Sequence, residues 1–269
     1  MCRFLAYHGP ATSMENALLE SSYSLVEQSK HARMRYEPIN GDGFGVGWFP
    51  SHHDPVPGTF VSIEPAWSNR NLKELAAKIT SRHFFAHIRD ATPGMPVSQA
   101  NCHPFKYGQW LWMHNGFLGE FSHYRRQILA SLSDESFQFI QGNTDTEHLF
   151  AMFLDAINHQ SSPDRNTVIA ALSNIINQLQ TIQRESGSKA ESHLNFAFSN
   201  GKISLYTRYA LNVEDVPPTL YYQLSEGDEE SLLVASEPLT TETDWQEVES
   251  HRILLKEEGS PLEIMVFEP

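Results

Sequence analysis

A cysteine stands at the second position of the chain, where its thiol could act as a nucleophile. Removal of Met1 would leave Cys2 with both a thiol and a free α-amine, and an α-amine titrates near pH ~8, well below a lysine amine at ~10.4. The amine could take the thiol proton directly or through a water molecule, which gives a nucleophile with its own general base. Many chains have a small second residue without such chemistry, so Cys2 needs support from other residues.

Two charged side chains that could bind a substrate occur at the ends of other predicted elements. Arg89 ends an apolar strand, and its planar guanidinium suits a carboxylate, although a structural salt bridge explains it equally well. Asp145 lies in the stretch 142–147, which is typical of the first turn of a helix. Helix capping by Asn143 or Thr144, with the acidic residues complementing the dipole, is the simplest interpretation. The alternative is a carboxylate that binds a substrate ammonium.

Two further motifs offer hydrogen-bonding groups. The amide of Asn115 beside the N–H of Gly116 could donate to a developing oxyanion, although Asn-Gly after a strand is most often a turn. The tight loop 101–105 contains His103, for which a loop-ordering hydrogen bond and a substrate contact are equally open. Cys102 in the same loop has no neighbouring base and is predicted to be structural.

The hydrophobic pattern predicts the elements that position these groups. Residues 2–8 read as a strand closed by Gly9-Pro10, and residues 15–32 as a helix. The stretch 40–48 has glycine at every second position, which weakens a strand but lets a backbone or ligand approach. Further strands are predicted at 83–89, 110–114, 195–198, 202–208, 221–224, 232–235, 252–256 and 262–267, with helices at 72–79, 122–132, 144–158 and 166–183, a loop at 90–104 and an acidic turn at 225–231.

The composition bounds the class of protein. The chain has 269 residues, 40% of them hydrophobic, with no internal repeat or linker, so residues 1–269 are expected to form a single domain. A formal charge of −14, from 19 basic and 33 acidic residues, argues against a nucleic-acid or anionic-membrane partner. The sequence lacks a membrane-spanning run and a signal peptide, which predicts a cytoplasmic protein whose two cysteines stay reduced.

Taken in order, the motifs resemble those of the class II glutamine amidotransferase domain. The segments 89–96 and 235–239, together with Trp245, point to the stand-alone members typified by YafJ and by EgtC, the ergothioneine-pathway γ-glutamyl amidohydrolase. Six motifs in family order, covering nearly the whole chain, are far more specific than any one alone. They are Cys2, the glycine-rich stretch 40–48, the stretch 87–92, His103-Pro104-Phe105, His114-Asn115-Gly116 and Thr144-Asp145-Thr146-Glu147.

The resemblance implies both a fold and a reaction. The fold is that of an N-terminal nucleophile hydrolase: an α+β, four-layer αββα sandwich with two stacked, mainly antiparallel sheets flanked by helices. In the reaction, Cys2 would attack the δ-carbonyl of glutamine or of a γ-glutamyl group and release ammonia or an amine. A γ-glutamyl thioester would remain for water to cleave.

The family's site residues can be carried over onto this chain. The oxyanion donors fall on the Asn115 side chain and the Gly116 N–H, the α-carboxylate clamp on Arg89, and the α-ammonium partner on Asp145. Two more residues, Thr92 and His103, are candidate substrate contacts. Asn40 stands where the better-known amidotransferases carry an arginine, so that arginine's contacts near the nucleophile are in doubt. The aromatic residues Trp48, Trp110 and Trp112 are predicted to be core.

The resemblance leaves the partner and the substrate open. No metal and no organic cofactor are expected. A separate synthase could accept the ammonia, or the enzyme could simply hydrolyse glutamine or a γ-glutamyl amide, which includes an EgtC-like role on a γ-glutamyl biosynthetic intermediate. A different class remains possible at this point: a catalytically silent γ-glutamyl binding module that never exposes the Cys2 amine.

Overall fold

A computed structural model describes residues 2–35, 37–50, 54–92, 95–225 and 230–269 of the chain. The strands in these ranges are β1 (Arg3–Ser13), β2 (Phe44–Trp48), β3 (Gly58–Ser62), β4 (Thr80–Ile88), β5 (Phe105–Tyr107), β6 (Trp110–Phe117), β7 (His193–Ser199), β8 (Ile203–Arg208), β9 (Tyr221–Ser225), β10 (Ser231–Ala235), β11 (Gln246–Glu247), β12 (Arg252–Glu257) and β13 (Glu263–Val266). The α-helices are α1 (Leu25–Lys30), α2 (Arg70–Lys78), α3 (Phe121–Ser131), α4 (Asp134–Phe139), α5 (Asp145–Ala156) and α6 (Arg165–Ser186).

The strands form two antiparallel sheets. The first has the order β11-β9-β10-β1-β4-β2-β3, and the second has the order β13-β12-β8-β7-β6-β5. In the first sheet, Leu5 of β1 lies opposite Ala86 of β4 on one side and Ala235 of β10 on the other. β1 and β4 are therefore interior strands of this sheet. Their residues 3–7 and 83–88 are buried on both faces, which explains the apolar runs 4–7 and 84–86.

Alternation along the strands divides the side chains between an inner layer, where the sheets meet, and two outer layers covered by helices. Phe4 and Ala6 of β1 pack between the sheets against Leu111 and Met113 of β6. Leu5 points to the opposite face of β1 and packs in the core formed with α1 and α2. The result is four layers in the order helix, sheet, sheet, helix, which confirms the predicted αββα sandwich.

The outer face of the second sheet has an aromatic core beneath α5 and α6. Trp110 and Trp112 of β6 are 1% and 0% exposed. The Trp112 ring stacks on Phe150 of α5, with centroids 5.4 Å apart, and on Phe198 of β7 at 4.5 Å. Burial of side chains this large contributes about 2–3 kcal/mol each relative to exposure. The prediction that Trp110 and Trp112 are core residues is confirmed, and Trp48 packs partly buried against the core of the first sheet.

The single helix predicted over residues 15–32 is wrong. A π-helix covers Asn16–Glu20, and α1 starts separately at Leu25. Two observations explain the break: the Tyr23 N–H donates to the Leu239 carbonyl over 2.9 Å, and the Ser24 hydroxyl caps α1 by accepting from the Glu27 N–H at 3.3 Å. A tertiary hydrogen bond and a new cap therefore override the helical periodicity.

Several strand boundaries also differ from the prediction. β1 continues through Gly9-Pro10 to Ser13, with an irregularity in its pairing to β4 between His8 and Thr12. β2 is shorter than the predicted stretch 40–48, and β6 continues to Phe117, so Asn115-Gly116 lies inside a strand and not in a turn. The short elements β3, β5, α4 and β11 are not predicted. Residues 226–229 of the predicted acidic turn and 93–94 of the predicted loop lie outside the described residues, as does Met1.

Over the described ranges, the structure contains no helix with the length and apolar character needed to cross a membrane.

Candidate active site

The strand register places the predicted nucleophile beside the end of β4. Arg3 pairs with Ile88. Cys2 and Arg89 therefore lie next to each other at the same end of two neighbouring strands of the first sheet. The Arg89 N–H also donates to the Gly43 carbonyl, next to β2, over 2.8 Å. Three interior strands therefore fix the backbone positions of Cys2 and Arg89 independently of side-chain contacts.

A cleft of about 30 Å³ lies where these ends of β1 and β4 meet the second sheet and the N-terminus of α5. Six of the seven predicted site residues line it, and the seventh, Asn115, stands between two lining residues of β6. Residues that are distant in sequence are thus brought into one place. The lining consists of Cys2, Arg89, Asp90, Thr92, Met95, His103, His114, Gly116, Thr144, Asp145 and Thr146.

The thiol of Cys2 is partly buried and held by its neighbours. Cys2 Sγ donates to the Asp90 carbonyl over 3.6 Å, and Arg3 Nη1 donates to the Cys2 carbonyl over 2.9 Å. Burial raises the pKa of the Cys2 thiol, and the positive charge of Arg89, which lowers it, does not compensate. The thiol is therefore protonated at neutral pH, and formation of the thiolate needs a base.

The guanidinium of Arg89 is buried with part of its hydrogen-bonding capacity unused. Arg89 is 4% exposed, and its Nη2 donates to the Pro96 carbonyl over 3.3 Å. Its Nη1 has no hydrogen-bond partner among the described residues. Because a buried charged donor without an acceptor is costly, this geometry fits an anionic ligand at the cleft.

The carboxylate of Asp145 lies at the N-terminus of α5 on the other side of the cleft. Asp145 Oδ2 accepts from the Leu118 N–H over 2.7 Å, and Oδ1 accepts from the Thr146 N–H over 2.8 Å. The helix cap itself is Thr144, whose hydroxyl accepts from the Glu147 N–H at 3.2 Å. Asp145 is therefore not needed as the cap, and the two backbone donors orient its carboxylate at the cleft.

Asn115 and Gly116 lie on β6 between the two sheets. Asn115 is fully buried, its Nδ2 donates to Ser236 Oγ over 3.2 Å, and its Oδ1 has no partner among the described residues. Ser236 Oγ in turn accepts from the Phe4 N–H over 3.0 Å, which ties the amide to β1. A side chain at position 116 would put Cβ 1.9 Å from the His193 carbonyl, so only glycine fits there.

Three histidines form the wall between the sheets. His103 Nδ1 accepts from the His114 N–H over 3.3 Å, and the His103 ring lies 4.1 Å from the ring of His87. His114 Nε2 donates to the His193 carbonyl over 2.8 Å. Burial lowers the pKa of all three, to about 3 for His87. His103 therefore orders its loop as a neutral ring and also lines the cleft. Its contact with a substrate stays a prediction.

The alternating glycines of β2 receive the loop that carries His103. A Cβ at Gly45 would lie 2.2 Å from the His103 carbonyl, and one at Gly47 would lie 2.8 Å from Pro104 Cγ. The close approach expected from the glycine pattern is thus made by the loop 101–105 of the chain itself. Cys102 in the same loop is buried, burial raises its pKa to about 11, and it does not line the cleft.

Five lining residues are absent from the predicted site, and all of them adjoin predicted motif positions. His114 immediately precedes Asn115-Gly116, and Asp90 follows Arg89. The signal was therefore present in the motifs, but nothing in the sequence distinguished a residue that faces the cleft from one that caps a helix. The five are Asp90, Met95, His114, Thr144 and Thr146.

Within the part of the chain that the structure describes, no group of three or more histidine, cysteine, aspartate or glutamate side chains could hold a metal ion.

Comparisons with known proteins test the family. The sequence model of a family described as "Glutamine amidotransferases class-II" matches residues 16–268. The chain belongs to the class II glutamine amidotransferases. This confirms the predicted family, and with it an enzyme of the amidotransferase type rather than a silent binding module.

Two curated relatives illustrate the breadth of the family. The probable glutamine amidotransferase DUG3 of Saccharomyces cerevisiae is 34% identical over 291 residues, which cover 94% of this chain and 81% of that protein. The gamma-glutamyl-hercynylcysteine sulfoxide hydrolase of Mycolicibacterium smegmatis is 34% identical over 119 residues, covering 44% of this chain and 52% of that protein. Both an amidotransferase and a hydrolase are therefore similar to this chain.

Solved structures agree with the fold. A class-II domain protein from Silicibacter pomeroyi superposes with a TM-score of 0.73 at 27% identity, and the match covers 100% of both chains. The glutamine phosphoribosylpyrophosphate amidotransferase of Bacillus subtilis superposes with a TM-score of 0.63 at 15% identity, covering 99% of this chain and 49% of that one. The second likeness is one of fold, and it supports the four-layer arrangement.

Proposed function

We propose that the cleft cleaves the γ-amide of glutamine or of a γ-glutamyl amide, with Cys2 as the nucleophile. The observation that carries this proposal is the pairing of two opposite charges beside one thiol. The unpartnered Nη1 of Arg89 suits an α-carboxylate, and the Asp145 carboxylate suits an α-ammonium. A glutamyl group held by both would present its side-chain amide to Cys2.

The base in this proposal is the α-amine of Cys2 itself, freed when Met1 is removed. Because burial raises the pKa of the thiol, the proton has to be transferred as the sulfur attacks. An α-amine, with an ordinary pKa near ~8, accepts a proton at neutral pH and can return it later.

The reaction then follows in two steps. The sulfur attacks the amide carbon, and negative charge develops on the amide oxygen. Asn115 Nδ2 gives one hydrogen to Ser236, so its second hydrogen can go to the oxyanion together with the Gly116 N–H. The C–N bond breaks as the leaving nitrogen takes the proton from the α-ammonium, which leaves a γ-glutamyl thioester. Water, deprotonated by the same amine, releases glutamate and restores the thiol.

Hydrolysis of a γ-glutamyl amide with a larger leaving group is the second candidate. The exposed side chain of Thr92 lies at the rim of the cleft, and a relative acts, by its name, on a γ-glutamyl compound. In the first candidate a separate synthase would receive the ammonia. For both candidate functions, residues 1–269 would act as one domain. A cytoplasmic location would keep the Cys2 thiol reduced.

Labelling with diazo-oxo-norleucine, an electrophilic glutamine mimic, tests the nucleophile. Wild-type protein without Met1 should gain one adduct at Cys2, detected by peptide mass spectrometry. Cys2→Ser should gain none, whereas Cys102→Ser, the matched control, should label like the wild type. An adduct at Cys102 alone, or intact mass showing Met1 retained on all protein from the native cell, contradicts the proposed chemistry.

A hydrolysis screen separates the two candidates. Free glutamine should be compared with γ-glutamyl amides of increasing leaving-group size, with and without candidate synthases. A kcat/KM about 10-fold or more higher for a bulky amide, equivalent to about 1.4 kcal/mol, identifies a hydrolase. Higher glutaminase activity in the presence of a synthase identifies an amidotransferase, and the lack of hydrolysis of all substrates contradicts both.

A further inference from the structure

The carboxylate of Glu237 joins the start of β1 to the segment that follows α1. Glu237 is fully buried, and its Oε1 accepts from Arg3 Nε over 2.7 Å and from the Met34 N–H over 3.2 Å. Its Oε2 accepts from the Tyr23 hydroxyl over 2.7 Å and from the Arg33 N–H over 2.9 Å. Burial opposes ionisation, but Arg3 and the other donors hold the pKa of Glu237 below its usual value. Glu237 is therefore an anionic anchor with four donors.

The segment anchored by Glu237 carries Arg35 toward the cleft. The Arg35 side chain is 4% exposed. Its Nη1 donates to Asn40 Oδ1 over 2.7 Å, and its Nη2 donates to Asp90 Oδ2 over 2.5 Å. A guanidinium buried this deeply carries a desolvation cost, which its carboxylate partner offsets. The side chain thus links the segment after α1 to the segment after β4.

Two hydrogen bonds hold Cys2, and the partner residue in each is connected to Glu237, directly for Arg3 and through Arg35 for Asp90. The Asp90 carbonyl accepts from Cys2 Sγ over 3.6 Å, and Asp90 is held by Arg35. Arg3, the direct partner of Glu237, donates to the Cys2 carbonyl over 2.9 Å. Terminal residues are poorly ordered unless they are tied down, and Cys2 becomes the terminus once Met1 is removed. These contacts are therefore ties on the nucleophile.

We propose that Arg35 is a positioning residue for the Cys2 nucleophile, acting by holding the Asp90 backbone against the thiol. Glu237 contributes by fixing the segment that carries Arg35. The inference rests on the proposed function, because it assigns a role in the same reaction. Arg35 does not line the cleft, so its effect reaches the reaction through Asp90 and not through the substrate.

Arg35 also balances charge beside the thiol. Burial has the largest effect on the pKa of the Cys2 thiol and raises it, Arg89 lowers it, and the Asp90 carboxylate raises it. Without Arg35, Asp90 would keep its contact with the terminal amine but would lose the Arg35 charge that offsets its own, so the thiol pKa would rise further. The charged and titratable groups around Cys2 include the terminal amine, which lowers the thiol pKa, and Cys102 in the loop 101–105. The others are Arg3 on β1, Arg89 and Asp90 after β4, His103 and His114 on the side of the second sheet, and Asp145 on α5.

The decisive variant is Arg35→Met in a Cys102→Ser background. We expect kcat for the preferred substrate to fall by about 10-fold or more, with KM changed by less than about 2-fold, because a displaced nucleophile loses rate and not binding. The pH midpoint of Cys2 alkylation by iodoacetamide, followed by intact mass, should rise by about 0.5 unit. Adding Asp90→Asn should bring the midpoint back toward the wild-type value, because the two residues act as one pair.

Two further variants serve as controls. Arg208→Met removes another arginine, on β8 with an 8% exposed side chain, from its ion pair with Glu247 on β11, and should change neither kcat nor the alkylation midpoint. Arg35→Lys keeps the charge but lacks the planar guanidinium whose two nitrogens contact Asn40 and Asp90, so its kcat should lie between those of Arg35→Met and the wild type. Arg35→Lys decides the matter if Arg35→Met does not fold.

The two arms of the experiment separate this inference from the proposed function. If the wild type hydrolyses no γ-glutamyl amide but Arg35→Met still shifts the alkylation midpoint, the proposed function fails, whereas the link between Arg35 and the Cys2 thiol stands. If the wild type is active and the Arg35 variants keep the wild-type kcat and midpoint, the positioning role is overturned and the proposed function stands.

Discussion

The two ends of β1 and β4 carry polar groups of contrasting character. At one end the cleft of about 30 Å³ contains Cys2 and Arg89. At the other end, a cavity of about 470 Å³ is lined by residues that include His8, His83 and Phe49. The larger cavity has the size of a ligand pocket, yet the reactive groups gather at the smaller one. Size alone does not locate the chemistry in this fold.

The difference lies in how the polar groups are held. In the cleft, backbone groups hold charged side chains, as two N–H donors hold Asp145. Arg89 Nη1 still has no hydrogen-bond partner among the described residues. In the far cavity, the His83 ring packs 4.9 Å from Phe49 and 5.2 Å from Phe85, and burial lowers its pKa. Both ends contain buried histidines packed against other rings, so the feature that distinguishes the cleft is its charged side chains oriented by backbone groups.

The largest effect that sharpens this comparison is expected for Asn115→Ala. Loss of an oxyanion donor should lower kcat by ~10²–10³, with little change in KM, because the interaction forms only in the transition state. The control is Asn195→Ala, since Asn195 is the buried partner of Asn115 on β7 and donates to the Pro218 carbonyl instead. Steady-state kinetics on both folded variants decide, and equal kcat values would remove Asn115 from the site.

A smaller effect is expected when the arginines at the two ends of β4 are compared. Arg89→Lys should raise KM for glutamine by ~10-fold, because a lysine ammonium cannot grip a carboxylate with two parallel hydrogen bonds. Arg82→Lys, on the same strand beside the far cavity, should leave KM unchanged. If both substitutions raise KM equally, substrate binding by an arginine is not confined to the cleft end of β4.

The sequence predicts this contrast only in part. β1, β4 and β6 could be predicted because short apolar runs identify them, and position and local motifs singled out Cys2 as the predicted nucleophile. The Glu237 anchor could not be predicted, since its ion pair with Arg3 joins residues 234 positions apart. The role of Arg35 was hidden for the same reason, although the sequence did draw attention to Asn40, which accepts its hydrogen bond.

Local propensity failed where tertiary contacts decide. Residues 15–32 have the composition of one helix, but the Tyr23 N–H is used by the Leu239 carbonyl, which no local pattern reveals. Asn115-Gly116 has the sequence of a turn, but pairing with β7 extends the strand through it. In both cases a contact between residues distant in sequence overrides the local propensity.

The smallest effect concerns stability at the far end. Burial lowers the pKa of His8 to about 4, below the ordinary value near ~6.5, so the unfolded state binds a proton at a higher pH than the native state. The stabilisation should be fully present above pH ~6.5 and should be lost as the pH falls toward about 4. Chemical denaturation from pH 7 to 4 should therefore show His8→Gln losing about 3 kcal/mol less than the wild type over this range. Exposed His123→Gln is the control, and parallel curves for His8→Gln and the wild type would assign the acid sensitivity to other groups, such as the buried histidines beside the cleft.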